Sequence, residues 1–220
     1  MEECAMYLAP KIDKALERVK PAMLGAIHKN ELIDTLTSTL RNFGTTISSD
    51  NLNIVKQRQY SVAGAFDMHT KHKPIEICIS LNKHQKTLKI ESERQWSIFK
   101  FNIAMTLQHE LVHKSQWQHR DASSSTVTYD FRALTEKART QLYLSHIDEI
   151  DAYAHDIALQ IKYFYPNKDP YAVLSNISRY TKLEDYNYYA NTFRNYDWYH
   201  IKKLLLKRVY GWIPHTIAFR

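Results

Sequence analysis

The sequence predicts an α+β fold, rich in helix, with a small β-sheet ahead of one long helix. Three observations predict it. The 220-residue chain holds only 4 glycines and 6 prolines, too few for the many turns of an all-β architecture. Hydrophobic residues make up 44%, which supports a real core and argues against disorder. The apolar pattern also changes period along the chain, from helical to alternating and back.

The elements follow in order. Leu8, Ile12, Ala15, Leu16 and Val19 recur at helical spacing and predict a helix over 5–28 that Pro21 ends or kinks. The stretch NELIDTLTSTLRNFG (30–44) predicts a second helix, capped by Asn30 and stopped by Gly44. Strands are predicted over 51–66 and 74–82. In the latter, Ile75, Ile77, Ile79 and Leu81 alternate with Glu76, Cys78 and Ser80. A short third strand is expected at 86–92. The helical pattern returns from Glu93 to about Gln118, and RDASSSTVTYD (120–130) reads as a polar loop. A long helix over 132–164 should end before Pro166, and 170–213 should form two or three tyrosine-rich helices. One domain, 1–220, is expected. It comprises N-terminal helices (1–45), a core (51–165) and a tyrosine-rich C-terminal region (166–220).

The net charge of +7 and pI of about 9.2 permit a nucleic acid, an acidic protein or an anionic surface as partner. The positive charge is spread along the chain, so a solvated basic surface is the simpler reading. Cys4 and Cys78 form no C-x-x-C pair, and a reducing compartment fits. The N-terminal stretch MEECAMYLAPKIDKALERVK is charged throughout and lacks the apolar core of a secretory signal. No run is long enough to span a membrane. These features lead to the expectation of a cytoplasmic or virion location, with no membrane partner.

The chemistry concentrates in LQHELVHKSQWQHRD (107–121). His109, Glu110 and His113 spell H-E-x-x-H. On a helix, residues four apart share a face, so the two imidazoles would lie side by side with Glu110 next to the first. That is the arrangement a zinc hydrolase uses: two nitrogen ligands and a carboxylate that takes a proton from water. A catalytic site needs a third protein ligand, and two candidates exist. His119 would extend the motif to HELVHKSQWQH, the metzincin pattern, except that Gln116 stands where that pattern has glycine. No methionine follows the motif to form the metzincin turn. Glu149, in SHIDEIDAYAHD, lies on the later helix, and Ala152 one turn on would let that helix pack closely. Asp148 and Asp151 are weaker alternatives, because they face other directions at 100° per residue.

The pair HELVH and DEIDAYA resembles small gluzincin-like zinc metallopeptidases, including compact ones typical of bacteriophage genomes. The resemblance covers roughly 74–165. It implies a zincin-like fold, a Zn²⁺ ion on His109, His113 and Glu149, and Glu110 as general base in peptide-bond hydrolysis. It implies a protein or peptide substrate, and an activity in the host cytoplasm or on the virion. It also implies a transition-state donor from the C-terminal half. The candidates are Tyr189, Tyr196 and His200, with Tyr186, Tyr188 and Tyr199 also available. The chain departs from the family at two places: Asp148 stands where many members have asparagine, and Tyr153 stands where an aspartate is usual. Asp156 is a substitute for that aspartate. The strand at 75–81 could pair with an extended substrate.

Three other classes are compatible with parts of the sequence. A di-iron site would need a second E-x-x-H, and the nearest is DWYH, Asp197 to His200. HIKKLLLKR (200–208) clusters Lys202, Lys203, Lys207 and Arg208 near many tyrosines, the composition of a nucleic-acid-associated protein. Such a protein could also act on DNA-associated proteins. A zincin-like domain without turnover, serving as a structural component of a phage particle, is the third class.

Overall fold

The computed structural model describes residues 8–52, 59–66, 74–119, 134–193 and 196–215. It has an α+β fold, mostly helical with small sheets, and it divides into two compact units, Met1–Lys114 and Ser115–Arg220. The expected polar loop at 120–130, residues 53–58 of the expected strand, and Cys4 lie outside the described residues.

In the first unit, α1 (Leu8–Met23) buries Ile12, Leu16 and Met23, with Pro21 tolerated in its last turn. The helix does not continue to 28 as expected. Gly25 adopts φ 95°, a conformation that suits glycine, and the chain leaves the helix to form β1 (Gly25–His28), burying Ile27. The next helix, α2 (Lys29–Leu40), buries Leu32, Leu36 and Leu40 along one stripe. Its cap is His28, whose side chain accepts from the Asn30 amide, rather than the expected Asn30. Gly44 does end the helical segment: it sits at φ 69° after a 3-10 turn and bonds back to the Arg41 carbonyl.

Among the described residues, four strands form the main sheet: β2 (Thr45–Ser48), β3 (Asn51–Leu52), β4 (Tyr60–Ala65) and β5 (Ile75–Asn82). The alternation read in 75–81 holds, and Ile75, Ile77, Ile79 and Leu81 are fully buried. β2 and β3 run parallel to β5 in the registers Thr45↔Ile75 and Asn51↔Leu81. β4 runs antiparallel to β5, with Gly64↔Ile77. Strand β5 therefore has neighbours along both edges. This corrects the expectation that 75–81 could pair with a substrate, because its backbone donors and acceptors are already engaged. β6 (Thr87–Ile90) pairs with β1 in a separate two-stranded sheet.

The unbroken helix α3 (Glu93–His119) spans the boundary: its residues through Lys114 count with the first unit and its last residues with the second. Ser92 Oγ accepts from the Gln95 amide at its start. Trp96, Phe99, Ile103, Ala104 and Leu107 are buried. Lys100, also buried, ties α3 to α1 through Asp13 and Glu17, both at 2.6 Å, and Trp96 Nε1 donates to the same Glu17 carboxylate at 3.1 Å.

Burial pushes Lys100 down, but its bonds to Asp13 and Glu17 outweigh this and hold it above its usual range. Burial likewise pushes Glu17 up, but the bonds from Lys100 and Trp96 hold it below the usual carboxylate range. The Glu17 contribution is therefore present above about pH 4.3 and fades as pH falls through its lowered value. That of Lys100 is present below about pH 10.4 and fades as pH rises through its raised value. A fully buried pair broken on one side costs about 3–5 kcal/mol. Asp13 and Glu17 retain 28% and 40% exposure, so Lys100→Met should cost only about 1–2 kcal/mol. Urea unfolding checks the value, and the variant should lose part of the wild type's stability decline below about pH 4.

In the second unit the expected helix over 132–164 is two helices, α4 (Glu136–Ser145) and α5 (Ile147–Phe164). The break is His146, extended at φ −64° and ψ 137°, which closes α4 and caps α5 by accepting from the Asp148 amide. Beyond it come α6 (Pro170–Ser175), α7 (Glu184–Thr192) and α8 (Tyr196–Trp212). Around α5, Ile150, Ala154, Ile157, Ala158 and Ile161 pack with Val173, Tyr186, Tyr189, Leu205, Val209 and Ile213. No helix among the described residues is long and apolar enough to cross a membrane.

Candidate metal centre

The H-E-x-x-H lies well inside α3, where the backbone is committed to the helix and only side chains remain to do chemistry. The histidines stand four positions apart, and their Nε2 atoms converge at 3.2 Å. The rings meet edge to face at 4.8 Å. His109 and Glu110 are both buried.

Glu110 is set by the main sheet. Asn102, Thr106 and Glu110 recur every four residues along the α3 face that meets β4. Asn102 Nδ2 donates to Tyr60 Oη at 3.1 Å, and the Tyr60 ring packs edge-on against Phe99. Further along β4, Gly64 faces Glu110. A Cβ at position 64 would lie 2.5 Å from Glu110 Oε1, 2.7 Å from its Cγ and 2.9 Å from Thr106 Cγ2. The missing side chain is the space the carboxyl group occupies. Gly64→Ala should cost about 1–3 kcal/mol by overpacking. In a Glu110→Ala background more than half of that penalty should disappear, because only the Thr106 contact remains. A denaturant-unfolding double-mutant cycle measures the coupling.

In the second unit, Glu149 lies on the first turn of α5 and is half-buried. Its neighbours are tied down. Gln116, in the last turns of α3, donates to the Asp148 carbonyl at 3.3 Å and to Asp151 Oδ2 at 3.2 Å. Asp151 Oδ1 accepts from Trp212 Nε1 at 3.2 Å, with Arg208 Nη1 at 3.8 Å. Both oxygens of Asp151 are thus engaged, so it serves as a clamp between the end of α3 and α8. Asp148 is buried with its carboxylate 3.6 Å from His146. Asp156 lies 3.3 Å from His155 Nδ1, and His155 packs edge-on against Trp212.

Tyr153, one turn past Glu149, packs edge-on against Tyr189 at 5.3 Å. Burial, and then the carboxylates of Asp185, Glu149 and Asp156, push its phenol far above its usual range, so it stays protonated. Gln160 Nε2 donates to Asp185 at 2.7 Å, holding α7 to the same helix.

The remaining sequence candidates fall elsewhere. His119 ends α3, exposed, with Nδ1 2.7 Å from the Ser115 carbonyl of its own helix. With Gln116 in place of glycine, α3 runs on through this point and makes no turn. Tyr189 is fully buried, donates to the Leu144 carbonyl at 3.1 Å, and has its phenol pushed up by burial first and the nearby Tyr153 and Glu149 second. Tyr186 is in the core, whereas Tyr188, Tyr199 and His200 are exposed. Tyr196 opens α8. Asp197 is exposed, as is His200, and neither joins a metal-capable group among the described residues. Cys78 is half-buried, with Sγ 3.9 Å from Ser80 Oγ.

Sequence reasoning missed Gly64, Gln116 and the Asp151 clamp. Only Gly64 left a signal: a glycine inside the strand pattern YSVAGA marks a close approach. Among the described residues, His109, His113 and Glu149 are the set of side chains that could hold a metal ion. No family model, curated protein or solved structure matches the chain.

Proposed function

We propose that the chain is a zinc-dependent peptidase of gluzincin type, with His109, His113 and Glu149 as ligands and Glu110 as general base. The observation that carries this reading is the convergence of the two histidine Nε2 atoms at 3.2 Å, one residue from a buried glutamate. Two nitrogens on one tetrahedral zinc at about 2.05 Å would stand about 3.3 Å apart. Two imidazoles and one carboxylate are also the donor set of a catalytic zinc site. Further support comes along α3. Gln116 follows His113 by one turn on the same face, and it bonds Asp148 and Asp151, one residue before and two after Glu149.

When bound, zinc supplies the Lewis acidity that polarises a scissile carbonyl and acidifies water. The protein's own residues supply the rest. Glu110, in the space left by Gly64, takes the proton from the attacking water and passes it to the leaving amine. β4 pairs only with β5 among the described residues, so its other edge could receive an extended substrate. The basic surface, with a net charge of +7, favours acidic or DNA-associated protein substrates. Replacing Glu110 with Gln tests the reading. The variant should keep the metal, measured by elemental analysis of untagged protein, and lose at least about 100-fold of the hydrolysis of an unfolded protein such as casein. Hydrolysis unchanged in that variant would sink the assignment of Glu110. A metal-loaded chain with no hydrolysis of any peptide would favour the structural reading.

A further inference from the structure

The surface of α8 carries a second feature that the peptidase reading does not use. Tyr199 and Tyr210 are 65% and 61% exposed, the most exposed large hydrophobic side chains among the described residues. They are eleven residues apart on one helix, which brings them to almost the same angle at 100° per residue. Between them on that face stand His200, Lys203 and Lys207, all exposed. This face has no acidic residue: Asp197, the acid of this helix, lies on another side. Lys203 and Lys207 are about 6 Å apart along the axis, and the two tyrosines about 16 Å. The opposite face of α8 is anchored, with Leu205 and Val209 buried in the core around α5. The platform is therefore rigid. Tyr210 is braced by Tyr171 of α6, with ring centroids 4.9 Å apart.

We propose that this face of α8 binds single-stranded nucleic acid: Tyr199 and Tyr210 stack on unpaired bases while Lys203 and Lys207 contact phosphates. Stacking rings joined by cations are the recurring chemistry of single-strand binding, because every base offers a π-face and every linkage a negative charge. A duplex keeps its base faces closed and would use the lysines alone. An anionic membrane would require an apolar face to insert, and the apolar face of α8 is already buried. The inference stands apart from the metal site, since none of these residues belongs to it.

Fluorescence anisotropy with labelled oligothymidylate of about 20 nucleotides tests it. Wild type should bind the single strand more tightly than a duplex of equal length, and the affinity should fall between about 50 and 200 mM salt. Each of Tyr199→Ala and Tyr210→Ala should weaken binding on the order of ten-fold. Lys203→Gln with Lys207→Gln should reduce the salt slope by about 1.4. All four side chains are exposed, so the variants should fold: melting temperatures should stay close to wild type, with Tyr210→Ala alone falling by a few degrees through its lost ring contact with Tyr171. Absence of binding at low salt, binding indifferent to both tyrosines, or preference for duplex or for phosphatidylserine vesicles would each overturn the proposal.

Discussion

Glu149→Ala should cost the chain its metal, and His119→Ala should leave it in place. The difference follows from where the two side chains are. His119 is spent on its own helix, with Nδ1 at 2.7 Å from the Ser115 carbonyl. Glu149 opens α5 beside two residues that Gln116 holds. Loss of an outer hydrogen-bond partner typically costs about 10–100-fold in metal affinity, so removing a ligand should exceed about 100-fold. Competition with a chelator of known affinity measures it. The same binding appears as stability, since a ligand at about 1,000 times its Kd adds about 4 kcal/mol. Added zinc should therefore raise the melting temperature of wild type and of His119→Ala, but not of Glu149→Ala. An equal rise in all three would remove Glu149 from the ligand set, and loss in His119→Ala would restore a metzincin-like geometry.

Asp151→Ala should produce the next largest effect, through two readouts. Its carboxylate accepts from Gln116 and Trp212 and faces Arg208. Hydrogen bonds to a charged group are worth about 1.5–3 kcal/mol each when buried. Asp151 keeps 23% exposure and Arg208 46%, so the ion pair adds little. The two hydrogen bonds together place the loss at about 2–4 kcal/mol. Metal affinity should also drop by about 10–100-fold, because Gln116 loses one of its two anchors next to Glu149. Asp151→Asn, which keeps one acceptor oxygen, should recover roughly half of both losses. A stability loss with unchanged metal affinity would show that the clamp serves packing alone.

Much of this was legible in the sequence, and the gaps have physical causes. The alternation in 75–81 marked β5 because its inner face is fully apolar. The long periodic run from Glu93 marked α3, and H-E-x-x-H marked the pair that converges. Strands β1 and β2, each of four residues, carried too few alternating positions to stand out beside the helices they adjoin. The break at His146 was hidden because no glycine or proline marks it; a histidine side chain supplies the cap that separates α4 from α5. Partners of β5 could not be read, since strand order is set by contacts distant in sequence. The ligand role proposed for Glu149 rests on resemblance. The bonds that hold its neighbours come from Gln116 and Trp212, which stand 33 residues before it and 63 after it.

A peptidase of the kind proposed would have to outlast its own activity, and the packing of α5 bears on that. Proteolysis reaches backbone that opens, and segments open according to how much of the fold must come apart with them. Within its unit α5 is packed by α4, α6, α7 and α8, so its amides should be the last there to exchange with solvent. Glu149 begins that helix, capped by His146. Self-cleavage in this unit should therefore spare α5 longest. The carboxylate proposed to hold the metal sits on the segment that self-digestion would reach last.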